Sequence, residues 1–184
     1  MNMRTIGILC IALLAGCASN QKPSSSNAIM DAENLGRTLY NNLTSEDGSS
    51  PYTSREADVV KMVGEEGVAS DGHYKAVSIF NEQDGVENLF LVLFPDSEGV
   101  QFGRHFRFQF RAGTNDLIDV SPSTKTCLLV PVTGDSVPFS THLLSDVPNE
   151  FHVFLSLYHN KQIYVSTRKG LWSVNGGKIS HIEK

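Results

Sequence analysis

The stretch LFLVLF, Leu89 to Phe94, is an apolar run with no polar position inside it. Successive side chains of a strand point to opposite faces, so a strand with one wet face alternates apolar and polar residues. An unbroken run therefore predicts a central strand covered on both faces. It is far too short for the roughly 20 apolar residues of a membrane-spanning helix. A sheet covered on both sides needs helices or a second sheet against it, and the flanking sequence offers both.

On the N-terminal side, Ala32, Leu35, Leu39 and Leu43 recur at helical spacing, with Asp31 and Glu33 near the expected start and Gly36 as a mild weakness. A second helix is predicted from Thr53-Ser54-Arg55-Glu56, a capping-box pattern, through Ala57, Val60 and Val63 to a stop at Gly64 or Gly67. Asp47-Gly48-Ser49-Ser50-Pro51 separates the two as a loop. After Gly72 the pattern is strand and turn. Candidate strands lie at 73–80, 88–94, 104–111, 117–120, 126–132, 151–158, 162–167, 171–174 and 178–182. Turn chemistry divides them at Asp84-Gly85, Gly113-Thr114-Asn115-Asp116 and Asn175-Gly176-Gly177. The one long connection, 134–150, carries Pro138 and Pro148, with a short helical turn expected around 141–144. The expected class is α+β: two N-terminal helices packed on a strongly curved, mostly antiparallel sheet, or on one end of a small barrel or sandwich.

The first residues carry an address. Arg4 precedes an apolar run of about eleven residues that closes on small residues, the layout of a secretory signal. Leu14-Ala15-Gly16-Cys17 resembles the lipobox of bacterial lipoproteins. That resemblance implies a signal peptide over 1–16, a diacylglyceryl group on the sulfur of Cys17, and Cys17 as the mature N-terminus. Two acyl chains anchor stably where one is marginal. Ala18, rather than Asp, after the cysteine implies the outer membrane, with the folded part facing the periplasm. Residues 17–28 are polar and serine-rich and read as the lipidated cysteine and its flexible tether, leaving 29–184 as a single α+β domain.

The chain has 15 Lys and Arg against 20 Asp and Glu, and no basic run, which argues against a nucleic-acid partner. Of three cysteines, Cys10 leaves with the signal and Cys17 takes lipid, so Cys127 has no intramolecular disulfide partner. Cys127 opens the apolar run Cys127-Leu128-Leu129-Val130 and reads as a small buried hydrophobe rather than a nucleophile. The histidines at 73, 105, 142, 152, 159 and 181 show no metal-ligand spacing, and no hydrolase, P-loop or dinucleotide fingerprint is present, so no cofactor is expected. Ile163 to Ile179 resembles one repeat of two-component-regulator β-propellers, but it occurs once, and a domain of about 155 residues cannot close a ring of blades. It reads as a hairpin.

His105-Phe106-Arg107-Phe108-Gln109-Phe110-Arg111 alternates strictly. The phenylalanines are expected inward. His105, Arg107, Gln109 and Arg111 on the other face form either a cationic strip for an anionic group or a solvated face paired with neighbouring acids. With no catalytic motif, the sequence reads as a lipid-anchored, non-enzymatic component of a cell-envelope machine for secretion, pilus or surface assembly, binding an envelope protein partner. The alternatives are an inhibitor or immunity protein that uses 134–150 as a plug, and a hydrolase built on Cys127 or a histidine.

Overall fold

A computed structural model describes residues 25–45, 53–65, 72–81, 85–124 and 128–183. The expected signal segment, Cys17, the loop at 47–51 and Cys127 lie outside them. The elements run α1 (Ser25–Thr44), α2 (Ser54–Glu65), β1 (Gly72–Asn81), β2 (Val86–Pro95), β3 (Val100–Gln101), β4 (Phe106–Arg111), β5 (Leu117–Pro122), β6 (Leu129–Val130), β7 (Phe139–Thr141), α3 (Glu150–Tyr158), β8 (Ile163–Thr167), β9 (Gly170–Asn175) and β10 (Lys178–Ile182). The class is α+β, with no closed barrel among the described residues. One antiparallel sheet has the order β1-β2-β4-β5, a second has the order β10-β9-β8-β7, and β3 pairs with β6 in a short ribbon.

The apolar run occupies the inner strand β2 and is covered on both faces, as its lack of alternation requires. Leu89 and Leu91 join Phe108 and Phe110 of β4 beneath Val59 and Val63 of α2. Phe90, Val92 and Phe94 point the other way, into a core with Leu39 and Leu43 of α1 and Phe151 and Phe154 of α3. Phe90 meets Phe151 edge-on at 6.0 Å, and Phe94 meets Phe154 at 6.1 Å. Burial of each such side chain contributes about 1.5–3 kcal/mol. The two N-terminal helices thus cover opposite faces of the sheet rather than sharing one.

The start of α2 has the predicted capping box: the Glu56 N–H donates to Thr53 Oγ1 at 3.3 Å, and the Thr53 N–H donates to Glu56 Oε2 at 2.7 Å. Arg55 then fastens α2 to the sheet, pairing with Glu87, donating to the Thr114 carbonyl at 2.8 Å and lying over the Phe110 ring. Helix α1 begins earlier than expected, so residues 25–28, assigned to the tether, belong to it. Ser and Asn are favoured where helices begin, and Ala28 and Ile29 already touch the core. Glu33 consequently lies mid-helix. Its buried carboxylate accepts the Ile179 N–H at 2.9 Å and Lys178 Nζ at 2.8 Å, which joins α1 to β10. Burial opposes its ionisation, but these donors and Arg37 outweigh that and hold its pKa below the usual value.

The strand expected at 151–158 is instead the helix α3. Its sequence is rich in aromatic and aliphatic residues, and nearly every side chain is buried, so no amphipathic stripe marks it. Topology explains the helix: β7 and β8 are parallel neighbours, and a parallel pair needs a crossover, which α3 supplies. The helical turn expected at 141–144 is absent. Residues 139–141 form β7, and the His142 N–H continues that pairing by donating to the Ser166 carbonyl at 2.8 Å. From β8 the chain meanders antiparallel, turning at Gly176 and Gly177, whose φ values of 53° and 76° suit a tight two-residue hairpin.

Gly36 sits where α1 crosses α3: a Cβ there would fall 2.4 Å from Val153 Cβ and 2.7 Å from the Glu150 carbonyl oxygen. On an open helix, Gly→Ala stabilises by about 1 kcal/mol. Here Gly36→Ala is expected to destabilise instead, by about 1–3 kcal/mol as overpacking does, with partial recovery when combined with Val153→Ala. Urea unfolding of the single and double variants measures both.

Candidate functional site

The strip expected on β4 shares a strand face but not a surface. His105, just before β4, is fully buried. Its Nδ1 accepts the Leu93 N–H at 3.1 Å, its Nε2 bonds to the Gln101 carbonyl, and its ring stacks on Phe151 at 5.3 Å. Burial lowers its pKa to about 4, against a partial counter-pull from the Gln101 carbonyl, so it is neutral at physiological pH and no part of a cationic surface. Arg107 is half-buried and pairs through Nη1 with Glu150 Oε1 at 3.3 Å. Gln109 donates to Asn88 Oδ1 at 3.1 Å. Only Arg111 stands well into solvent, 3.7 Å from the equally exposed Asp116. Surface pairs of that kind are worth at most about 1 kcal/mol.

The Arg107–Glu150 pair marks the wall of a cleft of about 310 Å³, between the end of β5 and the segment that leads into α3. Val120, Ser121 and Pro122 line one side, with His142, Leu144, Ser145 and Asn149 on the other. Two side-chain atoms here are buried without a hydrogen-bond partner: Arg107 Nε and His142 Nδ1. The His142 ring also interacts with the Ser123 backbone carbonyl. Burial is the main cause of its lowered pKa, with that carbonyl pulling the other way. The 134–150 segment is built into the fold, burying Pro138, Ser140, His142, Val147 and Pro148, and Leu143 and Leu144 form its exposed apolar tip.

Behind the cleft, His152 lies 3.5 Å from Ser140 Oγ, with its Nδ1 2.7 Å from Asn149 Oδ1. The order Ser–His–Asn invites a nucleophile relay. Ser140 and His152 are both about 2% exposed, however, and neither lines this cleft. What the pair Asn149 and His152 does is cap α3: Asn149 Oδ1 accepts the His152 N–H, and His152 Nδ1 accepts the Asn149 N–H at 3.2 Å. Burial, with His142 and His105 nearby, pushes the His152 pKa well below its usual value. Among the described residues no three His, Cys, Asp or Glu side chains are grouped to hold a metal ion.

Sequence reasoning missed Glu150, Asn149, His142 and His152 as a group. The available signal was Pro148-Asn149-Glu150, a helix-start pattern outweighed by the strand-like composition that follows it. Comparison with protein families, with curated proteins and with solved structures finds no match.

Buried neutral histidines set an acid limit. Below about pH 6.5 the unfolded chain takes up protons at His105, His142 and His152 that the folded chain refuses, so stability is full above that pH. It is expected to fall progressively as pH drops from about 6.5 towards about 4, the folded value of His105. Urea midpoints at pH 7.5, 6 and 5 measure the slope. His105→Leu, which strands the Leu93 N–H, is expected to cost about 1–3 kcal/mol at neutral pH and to flatten the acid slope.

Proposed function

We propose that this chain is a lipid-anchored, non-enzymatic component of a cell-envelope assembly that binds a protein partner. It is held to the outer membrane through Cys17 and faces the periplasm. The anchor is supported by the lipobox-like Leu14-Ala15-Gly16-Cys17 behind an Arg4-led apolar run. No described helix is long and apolar enough to cross a membrane.

The observation that carries the binding reading is the set of exposed apolar residues on two sheet edges. Leu117, Ile118 and Val120 lie on β5, and Val137, Phe139, Leu143 and Leu144 lie on and around β7. Each strand is the edge of its sheet, and Val120 and Leu144 meet across the Arg107–Glu150 cleft. Apolar side chains grouped at sheet edges mark interaction surfaces, because such edges otherwise invite aggregation.

Two measurements check the reading. A photoreactive phenylalanine placed at Ile118 or Leu143 in intact producing cells is expected to give one discrete adduct, absent when the probe sits at exposed Ser180 of β10. Equal labelling from all three positions, or none from any, counts against a partner on this face. Cys17→Ser is expected to move the protein from the detergent phase to the aqueous phase and to remove the diacylglyceryl mass, and unchanged partitioning removes the anchor.

A further inference from the structure

We infer that the cleft between β5 and the 142–149 segment receives a neutral extended peptide from the partner, one amide group of which bridges Arg107 and His142. The inference rests on the protein-binding reading above and adds where the partner's chain enters and which group is recognised.

The two unpartnered atoms specify the ligand. Arg107 Nε–H can only donate. His142 is neutral, its pKa lowered by burial, and its Nδ1 donates or accepts according to the ring tautomer. Each is buried without a partner, a cost of about 1–3 kcal/mol apiece that a ligand supplying the partners recovers. A donor and an imidazole nitrogen lining one cleft suit a neutral group that carries an acceptor and a donor together, as an amide does. Both atoms are sealed from solvent although both side chains line the cleft, so the two side chains must turn toward the ligand as it enters.

Charge excludes the ionic alternatives. Glu150 is buried and balanced by Arg107, so a carboxylate or phosphate would bring a second anion against it, while a cation would meet the guanidinium. A neutral polar group fits. No strand among the described residues pairs with the outer side of β5, which can accept a partner strand, and Val120, Leu143 and Leu144 are aliphatic flanks suited to alternating side chains of an extended peptide. An N-acetylated sugar carries the same amide but does not use a strand edge.

The test titrates the full chain, in detergent micelles, with the blocked tripeptide acetyl-Val-Ala-Val-amide while the imidazole nitrogens and the arginine Nε–H signals are followed by NMR. The expected result is a saturable shift of His142 Nδ1 and Arg107 Nε–H, with a Kd on the order of 1 mM for so small a fragment. Arg107→Lys, which keeps a cation for Glu150 but lacks the Nε–H, and His142→Phe should each weaken binding about tenfold or more. A variant that does not fold leaves the decision to the wild-type titration. No saturable shift, or a stronger one with sodium acetate or N-acetylglucosamine, overturns the inference. If the titration fails while the Ile118 adduct persists, the cleft assignment falls and the protein-binding reading stands; if both fail, both fall.

Discussion

A neutral imidazole holds the junction of this fold. The pairing of β2 with β4 ends at Leu91 and Phe106, and one residue beyond it the side chain of His105 takes over, accepting the Leu93 N–H where the ladder has run out. The same ring reaches the Gln101 carbonyl on the β3–β6 ribbon and stacks on Phe151 of α3. Its backbone N–H donates to Ser123 Oγ, whose hydroxyl donates to the Phe102 carbonyl, so the exit of β5 is drawn into the same knot. The first sheet, the ribbon and α3 therefore meet on one side chain. Arg104, immediately before it, takes a left-handed φ of 67°, the bend that brings the ring inward. A protonated ring would break this arrangement, since one of its nitrogens must accept.

The legible parts of the fold were those written in local chemistry. The Leu89–Phe94 run declared a strand covered on both faces, Thr53 to Glu56 declared a helix start, and Gly176-Gly177 declared a hairpin; all three are observed. Residues 151–158 were misread because a fully buried helix shows neither period: with no wet side, Phe, Val, Phe and Leu follow one another as they would in a strand. What decides the matter is the parallel register of β7 with β8, a relation between segments rather than a property of either.

The candidate site was legible only in part, for the same reason. Alternation correctly placed Phe108 and Phe110 inward and put His105, Arg107, Gln109 and Arg111 on one face. It could not tell that α3 lies across the near end of that face, which leaves His105 in the dark, Arg107 at the rim and Arg111 in water. Glu150, His142 and Asn149 come from segments with no catalytic signature, and only the crossover brings them to Arg107. A site assembled by topology leaves little trace in spacing.

The hold of Glu33 on Ile179 bears on how the molecule comes to exist. A polypeptide made from its amino end presents α1 long before β10 has been synthesised, and contacts across nearly the whole chain close slowly. Until then the stripe of Ala32, Leu39 and Leu43 has no α3 to rest on and the glutamate has no amide to receive. The packing of the first helix is therefore complete only once the last hairpin has turned and brought the Ile179 amide to Glu33.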